Sequence, residues 1–123
     1  MPLNFIFVAL GGAAGAMGRY AVSLLPVRTE FPALTFVTNI LGAFLIGFIS
    51  GIMESRKKVN PHEVLFWKTG VCGGFTTFST FSLESYTLLH NKKYIMGSAY
   101  MLLSVICCLA GVLLGRKLAM TIS

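Results

Sequence analysis

The sequence predicts an all-α membrane protein: one domain of four transmembrane helices, the third of them broken within the membrane. Three observations lead there. The 123 residues are 55% hydrophobic and 11% charged, with a mean hydropathy of +0.78, outside the range of ordinary soluble domains. A membrane span takes roughly 20 apolar residues, and four apolar stretches with short polar loops occupy the chain. Inside the third stretch, Gly73 and Gly74 are followed by the hydroxyls of Thr76, Thr77, Ser79, Thr80, Ser82 and Ser85, the least membrane-like run of any span.

The first helix is expected over about 3–25. It has no charged n-region and no Ala-x-Ala cleavage site, so it reads as a retained span rather than a secretory signal. Gly11 and Gly15 form a GxxxG pair that lets a neighbouring backbone come close. Arg19 lies deep enough that its charge is costly in lipid. Two readings fit it: the side chain snorkels to the headgroups, or it points into a wet cavity. Pro26, Arg28, Glu30 and Pro32 make the first loop.

The second helix is expected over about 33–53, with Thr35, Thr38, Asn39 and Ser50 as its polar residues. A buried Asn39 needs partners for two donors and an acceptor. It can be glue between helices or part of a site. The second loop carries Arg56, Lys57 and Lys58. The third helix, about 64–89, enters with Trp67 and Lys68 as interfacial anchors. The interruption is expected around Gly73 and Gly74, within 73–77. Asn91, Lys92 and Lys93 form the third loop, and the fourth helix is expected over about 94–114.

The net charge of +6 is loop charge. With both termini and the second loop on one side, that side holds Arg56, Lys57, Lys58, Lys68, Arg116 and Lys117; the other holds Arg28, Lys92 and Lys93, with Arg19 at depth. This asymmetry leans towards cytoplasmic termini. No basic face interleaved with aromatics is present, so nucleic acid is not an expected partner. Cys72, Cys107 and Cys108 form no CxxC and have no histidine at ligand spacing. There is no carboxylate pair in the membrane and no nucleophile beside a histidine, so no enzyme is expected.

Past the interruption, Phe78 and Phe81 share a helical face, Ser79, Ser82 and Ser85 a second, and Thr80 and Glu84 a third. An aromatic ring has a positive edge. Ring edges, hydroxyls and an Asn amide can together replace part of an anion's hydration without trapping it. Unwound backbone at the break can also present carbonyls to Na⁺.

Three motifs carry a family resemblance: GGAAGAMGRY at 11–20, TNILGAF at 38–44 and GVCGGFTTFSTFS at 70–82. In order and over essentially the full length, the chain resembles the CrcB/Fluc fluoride channels. The resemblance implies a multi-pass protein of the bacterial plasma membrane that exports toxic fluoride passively. It implies an antiparallel, dual-topology homodimer with two pores along its interface, and a structural Na⁺ at the centre held by the carbonyls of Gly73 and Thr76. Phe78 and Phe81 would meet fluoride edge-on, and Asn39 would donate to it. Ser79, Thr80, Tyr100 and Ser104 would extend a polar track with Glu84 beside it. Arg19 would form a vestibule or brace the third helix.

Two rival functions are a small proton-coupled multidrug exporter and a non-transporting membrane interaction subunit. The exporter needs a membrane carboxylate for proton exchange, and the first helix offers Arg19 instead. The interaction subunit gives no reason for polar residues to converge on a break.

Overall fold

The computed structural model describes residues 2–56 and 58–122. Lys57, one of the loop charges counted above, lies outside the described residues. Among those described, every regular element is helical. Helix α1 is Pro2–Ser23 and α2 is Ala33–Ser55; α3 is Pro61–Val64, continued by a π-helical segment, Leu65–Cys72, and by α4, Gly73–Phe75. After two extended residues come α5, Phe78–His90, and α6, Tyr94–Ile122. These make four helical stretches. α1, α2 and α6 are each long and apolar enough to cross a membrane, at 22, 23 and 29 residues. The third stretch reaches comparable length only by adding its pieces. Helix α6 continues well past residue 114.

Local chemistry explains the ends. Pro26 and Pro32 flank the first loop, where a missing N–H does no harm. Asn60 caps α3, its side chain accepting from the His62 N–H at 2.9 Å, with Pro61 in the first turn. Lys92, at φ 63°, closes the turn into α6, with the Lys92 N–H on the Leu89 carbonyl at 3.0 Å.

The helices pack in two pairs: α2 against α6, and α1 against the π segment and α4. Both contacts are backbone to backbone, because glycine leaves no side chain between the helices. A Cβ at Gly115 would sit 2.1 Å from the Phe44 carbonyl oxygen, and one at Gly15 would sit 2.2 Å from that of Val71. This is small-residue packing, which brings membrane helices together without a hydrophobic driving force. Gly115→Ala is therefore expected to destabilise by about 3 kcal/mol, the upper part of the overpacking range. A Cβ at Gly12 meets nothing within 4 Å, so Gly12→Ala should leave stability equal or slightly higher. Thermal unfolding of the two purified variants checks the contrast; equal midpoints would contradict it.

Ion pairs tie the loops at each end. Lys93 reaches Glu30 across the first and third loops, and Arg116 reaches Glu54 between α6 and α2. The first and third loops thus share one end of the bundle. Arg56 and Glu63 lie 3.6 Å apart at the other.

Candidate functional site: a groove at the interrupted span

The interruption falls at Thr76 and Thr77, not at the two glycines. Gly73 is helical at φ −64°, ψ −38°, whereas Thr76 is extended at φ −88°, ψ 157° and Thr77 at φ −146°, ψ 123°. The break thus lies at the far end of the expected window, 73–77, and the two glycines themselves stay helical. Gly74 serves close packing: a Cβ there would lie 2.5 Å from the Gly12 carbonyl oxygen. Helical backbone suits glycine when a neighbour leaves no room for a side chain.

Several of the polar groups exposed by the break find partners elsewhere in the bundle. Asn39 on α2 pairs with Thr77 as one strand pairs with another. Its Nδ2 donates to the Thr77 carbonyl at 3.1 Å, and its Oδ1 accepts from the Thr77 N–H at 2.9 Å. The Thr77 hydroxyl caps α5, accepting from the Thr80 N–H at 3.1 Å. On the opposite side, Arg19 Nε donates to the Gly74 carbonyl at 3.3 Å. That carbonyl has lost its helical donor at the break, and this is where the Arg19 charge goes. Thr76 turns its hydroxyl back to the Cys72 carbonyl at 2.9 Å.

A groove of about 460 Å³ opens along this backbone. Asn39, Gly73, Thr76, Phe78, Phe81 and Ser104 all line it, drawn from α2, both pieces of the third span and α6. Phe78 is 79% exposed on the open side, and its ring centre lies 5.7 Å from that of Phe81. The Ser104 hydroxyl is buried, with no hydrogen-bond partner among the described residues. The N-terminus of α5 also opens here, with the positive end of its dipole and first-turn N–H groups at mid-span.

The remaining residues selected from sequence lie beside the groove. Phe81 leads to Tyr100, 5.1 Å between ring centres. Tyr100 is fully buried and packs edge-on to Phe31. Its hydroxyl donates to Glu84 Oε1 at 3.0 Å, while Thr35 donates to Glu84 Oε2 at 3.1 Å. Ser79 is exposed, its hydroxyl 3.2 Å from that of Thr77. The Thr80 N–H belongs to the cap. Ser82 and Ser85 donate to carbonyls one turn back, each at 2.8 Å, which is how a helix hides hydroxyls without a polar path.

Thr77 and Thr35 were visible in the sequence only as two hydroxyls among many. The signal that marks them is tertiary: one meets Asn39 and the other Glu84. No group of three or more His, Cys, Asp or Glu side chains able to hold a metal occurs among the described residues.

Comparison with known proteins gives a consistent picture. The profile of the family described as CrcB-like protein, Camphor Resistance (CrcB), matches residues 6–116. A relative from Ruminiclostridium cellulolyticum, named fluoride-specific ion channel FluC, is 44% identical over 98% of this chain and 95% of its own length. Relatives with the same name from Azobacteroides pseudotrichonymphae and Methanococcus maripaludis are each 42% identical, over 94% and 95% of this chain and 94% and 96% of their own lengths.

Proposed function

The chain belongs to the CrcB-like family of multi-pass membrane proteins, and from that membership we propose that it is a fluoride-selective channel, passing the ion down its gradient and out of the cell. Its relatives are named as channels, not enzymes. The observation that carries the reading is the start of α5 at mid-span, opening into a groove lined by Asn39, Phe78, Phe81 and Ser104. A half-helix N-terminus inside a membrane favours an anion. Ring edges and neutral donors favour one that must also leave.

In this reading, fluoride exchanges hydration water for the edges of Phe78 and Phe81 and for the remaining Nδ2 hydrogen of Asn39. The unpartnered Ser104 hydroxyl gives it a further donor. Ser79, Thr80, Tyr100 and Glu84 continue the polar route beyond Phe81.

The proposed assembly is a homodimer of oppositely inserted copies, with two pores along the interface. The open groove and the exposed Phe78 favour a partner on this face. Tags on both termini in whole cells test the orientation, with each terminus expected on both sides. A single cytoplasmic orientation, which the loop charges lean towards, would overturn dual insertion.

A structural Na⁺ at the centre of this dimer fits the oxygen donors present. In an unbroken helix the Gly73 carbonyl would pair with the Thr77 N–H, and that of Thr76 with the Thr80 N–H. Asn39 and the Thr77 hydroxyl take those two N–H groups instead. Two carbonyls are thereby released from helical pairing, and hard oxygen dipoles are what Na⁺ takes. When bound, the ion adds positive charge at mid-span.

Purified protein in sealed vesicles loaded with fluoride provides the test. Efflux read with a fluoride electrode is expected to be fast, and chloride is expected to stay trapped. Vesicles that retain fluoride, or lose both ions alike, would overturn the proposal.

A further inference from the structure

We infer that Asn39 is a positioning residue that creates the cation site and is itself held in one orientation by doing so. This deepens the sodium reading above and rests on it.

The inference starts from the paired bonds to Thr77. A free carboxamide can rotate to present either its oxygen or its NH₂. Here only one orientation works: reversal would set Oδ1 against the Thr77 carbonyl and NH₂ against the Thr77 N–H. With 3.1 Å and 2.9 Å bonds on the two sides, the amide is pinned. Its acceptor is consumed by the backbone, and the hydrogen left over is a donor. The groove therefore meets an N–H from Asn39 and never its oxygen. An anion is served in either direction of passage, and a cation finds no ligand there.

The same two bonds act on the third span. Gly73, Gly74 and Phe75 are already helical, so helix would continue through Thr77 unless something competed for its N–H. Asn39 competes, from a position 38 residues earlier in the chain. By taking the Thr77 N–H it leaves the Gly73 carbonyl without its helical donor. By taking the carbonyl as well, it holds Thr77 extended, which aims the Thr77 hydroxyl at the Thr80 N–H. That cap releases the Thr76 carbonyl. One side chain thus frees both proposed sodium ligands while fixing the donor on the anion path.

The test reads Na⁺ binding and backbone protection, not flux. Thermal unfolding of purified protein is followed against Na⁺ concentration, with N-methylglucamine as the replacing cation. Wild type is expected to gain stability with Na⁺. Asn39→Ala is expected to need about 10- to 100-fold more Na⁺ for the same gain, the usual effect of losing a residue that orients metal ligands. An unchanged Na⁺ midpoint in Asn39→Ala overturns the inference. Hydrogen exchange at the Thr77 amide in Na⁺-free protein gives the second readout. It should be slow in wild type and faster in Asn39→Ala; equal rates overturn the inference. If Na⁺ stabilises neither protein while Thr77 exchange still depends on Asn39, the sodium reading fails and the positioning of Thr77 stands. Should Asn39→Ala not fold, wild type alone decides, because Thr77 exchange as fast as an exposed loop amide means the pairing is absent.

Discussion

Asn39→Asp should abolish fluoride efflux. The substitution is nearly isosteric, so the effect is electronic. One carboxylate oxygen can keep the Thr77 N–H, but the other takes the place of Nδ2 and faces the Thr77 carbonyl, acceptor against acceptor. The donor offered to the anion is lost, and a negative charge stands in the groove wall instead. Two like charges 4 Å apart repel by about 4 kcal/mol at an effective dielectric of about 20, which is about a thousandfold in rate. Electrode-monitored efflux from vesicles at matched protein density checks this. Efflux within about tenfold of wild type, a cost near 1.4 kcal/mol, would mean the ion does not pass Asn39.

Phe81→Ile should have the next largest effect on flux. The Phe81 ring stands between Phe78 and Tyr100, at 5.7 Å and 5.1 Å. Isoleucine keeps the position apolar but has no polarised ring edge. Contacts of aromatic rings beyond simple burial are worth about 0.5–1.5 kcal/mol, so efflux should fall by up to about tenfold. Phe78→Ile should fall in the same direction. The ring contact with buried Tyr100 makes Phe81 part of the packing as well, so thermal stability must be measured alongside flux. A stable Phe81→Ile with wild-type efflux would remove the ring edges from the mechanism.

The parts of the site differ in how readable they were. Phe78 and Phe81 could be placed together from their spacing of three, because an α-helix repeats every 3.6 residues wherever it sits. Tyr100 and Ser104, one turn apart, both prove buried for the same reason. The interruption was also legible, since so many hydroxyls in one span need an explanation. Its location was legible only as a window, 73–77, and not to the residue. Gly73 and Gly74 look like breakers because glycine adopts conformations that other residues avoid, yet it also sits in a helix wherever a neighbour comes too close for a side chain. At Gly74 the approach of Gly12 reveals the packing use, whereas a Cβ at Gly73 would meet nothing within 4 Å. Arg19 shows a similar limit. Its own properties offered only lipid or water for the charge; the resemblance added a brace for the third helix, and in the structure Arg19 Nε meets the orphaned Gly74 carbonyl of that helix.

Composition and hydrophobic run length alone determined that this chain is helical and membrane-spanning, divided by short charged loops, because the bilayer acts on each span separately and through local properties. The tertiary structure decided where the third span opens, which carbonyls lose their helical donors, and which side chains meet Thr77 and Glu84. Those outcomes are competitions for a hydrogen bond between groups far apart in sequence. Asn39 wins the Thr77 N–H because α2 carries it there, and no property of residues 70–84 alone records that it will arrive.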